Sequence, residues 1–453
     1  MENDRSPLQF YIDQPVCWEN ISGCLRIHGW CFATTTRTVT GIRFQVPGLT
    51  FPGVVGLPRP DVKAAIPEAP DDNTGFEIRG NLSAGRHELS IEAQTLDGRW
   101  HLLLSRTVKI RRQLFPLWLG GGAWIELMFS QMPAHMAYPA RAVRLEKFPA
   151  AKANTPRSKF AIVTPSYNQA PFLAETMASV LGQPGVDCQY LVQDGGSTDA
   201  SAEIIRRFAT EQAEGRREKG VQKSEAGDSF PAPSSSLPPP RSPRLVSWTS
   251  ERDHGQADAI VRAFAKTTGG ADDIMAWINS DDFYLPGALA YVADYFARHP
   301  EVDVLYGHRV LVDEQSHEIG RWFLPKHDPE VLRLNDFVPQ ETLFWRRRIW
   351  DKVGGLDPAF KFALDWDLLL RFSAAGARIV RVPYFLACFR IHPAQKTSAA
   401  MHSVGQPEID RLRARTQGRE IPPAELERDP RLLRYLRRSA FLEFLWRCGI
   451  RAP

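Results

Sequence analysis

Cysteine is scarce in this chain. Its 453 residues hold six (Cys17, Cys24, Cys31, Cys188, Cys388 and Cys448), none in a C-x-x-C pair or at metal-finger spacing. That usage excludes a disulfide-stapled scaffold and fits a reducing compartment. Long apolar runs are missing as well. The longest uncharged one, Phe115 to Ile125, contains three glycines and stops at Glu126, whereas a spanning helix needs about 20 apolar residues. The start, Met1-Glu2-Asn3-Asp4-Arg5, has no basic n-region and no apolar h-region, so a signal peptide is not expected. Charge of one sign is lacking too: 56 Lys and Arg stand against 52 Asp and Glu, a net +4. So mild a bias argues against a protein that coats nucleic-acid phosphates. The expectation is a soluble cytoplasmic protein with no nucleic-acid partner.

What is present is the composition of a globular protein. Hydrophobic residues make up 43%, aromatics 10% and charged residues 24%, enough for a real core and too much for a disordered chain or a collagen-like fibre. The length allows roughly three domains.

Residues 1–110 read as an all-β accessory domain. Ile42, Phe44 and Val46 alternate with Arg43 and Gln45, and Leu89, Ile91 and Ala93 alternate with Ser90 and Glu92, the period of half-buried strands. Turn residues such as Pro47-Gly48 and Asp97-Gly98 punctuate the runs, which suggests an antiparallel sandwich of immunoglobulin-like type. Residues 111–157 read as a linker strap, with a membrane-surface element as the other reading.

Residues 158–400 change character to alternating strands and helices. Phe160 to Thr164, Gln189 to Gln193, Leu245 to Trp248, Ile274 to Ile278 and Val302 to Tyr306 read as strands. One helix carries Phe172, Leu173, Thr176, Met177, Val180 and Leu181 on a single stripe, and another runs from Asp199 to Phe208. Such alternation predicts an α/β sheet with ligands at the carboxyl ends of its parallel strands. Residues 213–243 interrupt it, since ten of the thirteen residues in 231–243 are proline or serine. They read as a disordered insertion. Residues 401–453 form a basic helical tail. Between Arg428 and Arg451 seven arginines face two acids, with Leu432, Leu433, Leu436, Phe441, Phe444, Leu445 and Trp446 interleaved. Packing on the preceding domain and peripheral contact with an anionic membrane face are the two readings.

Polar strings follow the strands: Thr164-Pro165-Ser166-Tyr167-Asn168, Asp194-Gly195-Gly196-Ser197-Thr198-Asp199 and Asn279-Ser280-Asp281-Asp282. Ala363-Leu364-Asp365-Trp366-Asp367 stands at a helix start. The first three would meet at one sheet edge. Carboxylates there, with glycines that let backbone approach a ligand, suit a divalent metal bridging a diphosphate.

The stretch from about 159 to 398 resembles a family 2 glycosyltransferase with the GT-A fold, a Rossmann-like mixed sheet. The resemblance rests on six strings in order: VTPSYNQAPFLAETMASVLGQ, DGGSTD, SERDHGQADAI, WINSDDFYLPGAL, GGLDPAFKFALDWDLLLRFSAAG and FRIHPAQKTS. It implies a nucleotide-diphosphate sugar as donor, a UDP-sugar being the expected one, with Mn2+ or Mg2+, and a saccharide or lipid-linked acceptor. By the resemblance, Thr164, Pro165 and Tyr167 border the base and Asp194 reaches the base or ribose. Asp253 and Asp258 lie beside the donor pocket, Asn279, Ser280 and Asp282 belong to the D-x-D turn, Asp281 and His392 hold the metal, and Asp365 is the catalytic base. Asp199, His254 and Trp366 read as capping or packing residues instead.

Five positions depart from the family pattern. Asn279 replaces the first acid of D-x-D, Gly195 a frequent second aspartate, Val261 and Ala263 the usual polar and glycine residues, and Leu364 the acid before the base. The expected activity is metal-dependent inverting transfer in polysaccharide or glycoconjugate assembly. The alternative is a catalytically silent carbohydrate- or nucleotide-binding protein of the same fold.

Overall fold

A computed structural model of the chain describes residues 8–14, 18–21, 24–33, 39–47, 49–66, 68–82, 85–110, 137–149, 159–224, 242–392, 404–426 and 428–450. The chain divides into two compact units, Met1–Trp118 with Pro133–Ala137, and Leu119–Met132 with Tyr138–Pro453.

The first unit is all-β, as expected. Its strands are β1 (Leu8–Gln14), β2 (Glu19–Ile21), β3 (Cys24–Ala33), β4 (Val39–Val46), β5 (Leu49–Leu57), β6 (Gly75–Asn81), β7 (Gly85–Thr95) and β8 (Trp100–Ile110), with one short helix, α1 (Pro60–Ala65). They hydrogen-bond in one path, β1-β3-β6-β5-β4-β7-β8-β2, rather than in two separate ladders. The inward positions of these strands share one core that includes Leu25, Ile27, Phe44, Phe76, Ile78, Ile91 and Val108. Close approach within that core needs glycine. A Cβ at Gly80 would stand 2.2 Å from the Phe44 ring, and one at Gly53 2.6 Å from Ile78.

The second unit holds β9 (Ala137–Arg141), β10 (Phe160–Ser166), β11 (Cys188–Asp194), β12 (Arg244–Ser250), β13 (Ile274–Trp277), β14 (Phe283–Tyr284), β15 (Val304–Val312), β16 (Glu318–Trp322), β17 (Phe344–Arg346) and β18 (Ile379–Arg390). The strand order is β12-β11-β10-β13-β17-β15-β16-β9, with β18 joining β14 and β15. β12, β11, β10 and β13 run parallel, while β17 is antiparallel to both β13 and β15. This is the mixed α/β sheet the strand-helix alternation calls for. Alternate residues of β10 feed two cores, Ala161 and Val163 on one face, Phe160 and Ile162 on the other. A strand buried on both faces reads as a continuous apolar run for that reason.

The helices of this unit are α2 (Ala170–Leu181), α3 (Ser201–Ser224), α4 (Gln256–Ala265), α5 (Ala288–Arg298), α6 (Pro329–Leu332), α7 (Arg347–Val353), α8 (Leu364–Ala374), α9 (Gln406–Gln417), α10 (Pro423–Leu426) and α11 (Pro430–Arg447). α2 buries Leu173, Thr176, Met177 and Val180, the stripe seen in the sequence. α3 continues past position 213 to Ser224, so the first part of the segment read as an insertion is helical. The helix stops short of the proline-rich stretch, and proline cannot extend one. The proline-serine stretch, like most of the linker strap, falls outside the described residues. The tail is helical as read, and it packs into the core of this unit through Ile409, Leu412, Leu426, Leu432 and Tyr435. Among the described residues no helix is long and apolar enough to cross a membrane.

Candidate functional site

The parallel strands set the register. Ser166 pairs with Asp194, and Asp194 with Ser250, so the polar strings that end β10, β11 and β12 arrive side by side. Asp194 is fully buried there. Ser197 donates from its amide (2.9 Å) and its hydroxyl (2.6 Å), and Ser250 Oγ donates as well (2.6 Å). In this arrangement the carboxylate shapes the Asp194–Asp199 loop. Thr164 is equally buried and accepts from the Tyr190 hydroxyl at 2.9 Å. Pro165 is buried beside it, whereas Tyr167, one residue beyond the strand, is 60% exposed.

The loops after β10 and β11 are clipped together. The Asn168 amide donates to Ser197 Oγ and the Thr198 amide to Asn168 Oδ1. Ala170 N donates to Asp199 Oδ2 and Gln169 N to Ser201 Oγ. The N-cap of α2 makes no side-chain cap bond, so residues across the cleft satisfy its first amides instead. Partial burial opposes ionisation of Asp199, but hydrogen bonds from Ser201 and Ala170 outweigh it and hold the carboxyl below its usual range. It is a cap, as the sequence suggested.

The 251–256 turn closes the next side. Asp253 accepts from Gly255 N at 2.9 Å, and a Cβ at Gly195 would lie 2.8 Å from Asp253 Oδ2. The Asp253 carboxylate therefore occupies the space that a side chain at 195 would need. Asp258 reaches back from the first turn of α4 to the His254 amide (2.9 Å) and pairs with Arg262. The His254 amide bond, with Arg262 behind it, holds its carboxyl below the usual range despite some burial. Gln256 Nε2 donates to Asn279 Oδ1 at 2.8 Å, tying this turn to the one after β13. A carboxylate at 279 could accept that bond too, so the amide is not explained by it.

The D-x-D turn meets the end of β18. Asp281 Oδ2 lies 3.1 Å from His392 Nε2, and the His392 ring is buried against Phe172. Ser280 is buried, its carbonyl accepting from Thr176 Oγ1. Asp282 is 1% exposed: its Oδ1 accepts from the Arg390 amide, while its Oδ2 has no partner. Burial, then the charges of Asp281 and Glu341, push this carboxyl well above the usual range. Asp281 and His392, the two residues expected to hold a metal, thus lie side by side. No group of three His, Cys, Asp or Glu able to hold a metal occurs among the described residues, so such an ion would need donor phosphates or water to complete its shell.

Arg390 organises this corner and was not singled out from the sequence. It is 1% exposed. Its guanidinium donates to the carbonyls of Asp281, Asp313 and Glu314, to Ser316 Oγ and to Glu175, and stacks over Phe172 and Phe283. A planar five-donor fork is what so many convergent acceptors require. The FRIH string held it in plain view, but an arginine beside a histidine has no spacing that marks it as a hub.

Asp365 stands at the second position of α8, whose N-cap is Ala363, so it is not the cap. The loop before it is held from the tail. Glu408 of α9 accepts from the amides of Lys361, Phe362 and Ala363, and Arg415 pairs with the buried Asp367. A second carboxyl, Asp336, feels the charge of Asp365. Loss of water, then the charge of Asp365, push Asp336 well above the usual carboxylate range. Arg309 works on both acid groups. Bonded to the buried Glu341 by two contacts of 2.7 and 2.6 Å, its charge favours ionisation of both Asp282 and Asp336. Neither Asp336 nor the Arg309–Glu341 pair has a sequence signal, because their partners are distant in the chain.

Comparisons with known proteins agree with the resemblance. Residues 161–223 match the family described as "Glycosyl transferase family 2". The O-antigen biosynthesis protein RfbC of Myxococcus xanthus is 29% identical over 336 residues, 70% of this chain and 24% of that protein; the chain corresponds to about a quarter of that relative's length. A PGL/p-HBAD biosynthesis glycosyltransferase of Mycobacterium tuberculosis is 24% identical over 223 residues, 49% of this chain and 72% of that one. Among solved structures, the mannosyltransferase PcManGT from Pyrobaculum calidifontis, in complex with GDP-Man and Mn2+, shares 16% identity with a TM-score of 0.41, over 73% of this chain and 83% of that one.

Proposed function

We propose that this chain is a metal-dependent, inverting glycosyltransferase that moves a sugar from a nucleotide-diphosphate sugar to a hydroxyl of a saccharide or lipid-linked acceptor. The observation that carries the reading is the Asp281–His392 pair, a carboxylate and an imidazole 3.1 Å apart beside the turn that follows a parallel strand. The two side chains would hold Mn2+ or Mg2+, which when bound offsets the charge that grows on the departing diphosphate. Tyr167 offers its ring to the base, and Asp253 lines the same side against Gly195. The buried Asp194 and Thr164 support these positions from below. Asp365 takes the acceptor hydroxyl's proton, which requires an approach of about 3 Å. Attack from the face opposite the leaving group inverts the anomeric carbon. A UDP-sugar is the first donor to test, and polysaccharide or glycoconjugate assembly is the setting, in keeping with a relative named for O-antigen biosynthesis.

The test is donor turnover, by hydrolysis or transfer, across a panel of nucleotide sugars with Mn2+ and with chelator. One selected donor, turned over with Mn2+ and inert with chelator, supports the reading. Asp365→Asn should then bind that donor as tightly as the parent and lose about 100-fold or more in turnover. Donor binding without turnover by the parent chain would favour instead the silent binding protein, the reading that Asn279 and Leu364 motivate.

A further inference from the structure

Helix α11 buries one side and leaves a distinct stripe on the other. Leu432, Tyr435, Leu436, Ser439 and Ala440 are buried, and Leu442 and Trp446 pack on a core with Phe283, Phe323 and Phe385. The outward positions are Arg434, Arg437, Arg438, Phe441, Phe444 and, just past the helix, Ile450. They recur at the three-to-four-residue spacing of one helix face. Phe441 and Ile450 are more than half exposed, at 57% and 54%. The one acid within the helix, Glu443, is buried, so no carboxylate of α11 faces outward.

From this face we infer that α11 is a docking surface for an anionic lipid bilayer, on which the helix lies flat. Three features favour lipid over a protein groove. The stripe lies on the convex side of the helix and runs about 15 Å from Arg434 to Phe444, a length that a flat surface meets at every turn. Its charge is of a single sign. Its arginines and its apolar side chains share one face, so a flat-lying helix brings both to the surface, the flexible arginines reaching up to headgroup phosphates and the rings resting at the acyl boundary. The inference is independent of the catalytic reading, yet it bears on it. Phe283, in the core under Leu442 and Trp446, directly follows Asp281-Asp282. A bilayer held by α11 would therefore hold the metal turn at a fixed height, suiting a lipid-linked acceptor.

The experiment is co-flotation of the full chain with phosphatidylcholine vesicles, with and without phosphatidylglycerol, in low and high salt. Binding is expected on the anionic vesicles, weakened by salt. Arg437→Gln with Arg438→Gln should weaken it about thirtyfold, and Phe441→Ser with Phe444→Ser by at least tenfold, with donor turnover unchanged in both. Arg437→Lys with Arg438→Lys should retain it, because a surface potential reads charge rather than guanidinium shape. Failure of the parent to float with anionic vesicles overturns the inference. So does undiminished binding in the glutamine and serine variants, which would move the contact elsewhere in the chain, or a self-association that the serine variant abolishes while flotation persists. Donor turnover is read separately, so loss of one result leaves the other standing.

Discussion

His392 Nε2 stands 3.1 Å from Asp281 Oδ2, two residues 111 apart in the chain that meet because β14 pairs with β18. If both turn toward one ion, then Asp281→Asn and His392→Ala should each lower Mn2+-dependent turnover by on the order of 100-fold. Calorimetric Mn2+ affinity in the presence of nucleoside diphosphate should fall in step. Parent-like metal affinity in either variant would remove that residue from the metal shell.

Asp336 makes a pH prediction. Its folded carboxyl titrates well above the ordinary value of 3.8, so over that window the folded state binds more protons than the unfolded one. Stability must then fall as pH rises from 3.8 toward the raised value. Asp336→Asn keeps an acceptor for the Val338 amide and removes the penalty. Its melting temperature should gain on the parent's as pH rises through that window, and parallel curves would contradict it. The acid limb of kcat/KM should shift as well, because Asp365 loses a neighbouring titrating group.

Arg390→Lys tests the hub. One ammonium cannot serve the carbonyls of Asp281, Asp313 and Glu314 together with Glu175. Of these acceptors Glu175 is 43% exposed and can turn to water, so the orphaned carbonyls carry the cost, about 1–3 kcal/mol, and chemical denaturation should show a loss of that size. Mn2+ affinity should fall with it, since the Asp281 backbone is released. Stability unchanged within half a kilocalorie would mean water replaces the fork.

Gly195→Ala should separate binding from folding. The added methyl meets the Asp253 carboxylate at 2.8 Å, the end of a side chain that can swing away. Melting should change little, while the donor KM rises severalfold at near-constant kcat. If donor binding is untouched, Asp253 does not line the donor pocket.

Much of the fold is legible in the sequence because its signals are local. β10 and β11 read as apolar runs, and α2 shows its buried stripe directly. The site is legible where a motif couples residue type to backbone position, as in the turn of Asp281 and Asp282. It is not legible where a role depends on burial. The burial of Asp194 and Thr164, and their bonds to Ser197 and Tyr190, have no mark in the sequence. Asp336 and Arg309 work through partners that no spacing announces. The tail's arginines dominate its composition, and its packing residues stand out only through the interleaved apolar positions. Glu408 and Arg415, which brace the helix of Asp365, stand in it as two unremarkable charges.

The clip between the loops after β10 and β11 limits how this protein can be re-engineered. Asn168, Gln169 and Ala170 depend on Ser197, Ser201 and Asp199, and Thr198 depends on Asn168. Neither segment is a free-standing cassette. A graft that imports one loop from another protein, hoping to change the donor, would strip the first turn of α2 of its hydrogen-bond acceptors. Donor preference should be transplantable when both segments travel together, from Thr164 to Ala170 and from Asp194 to Ser201.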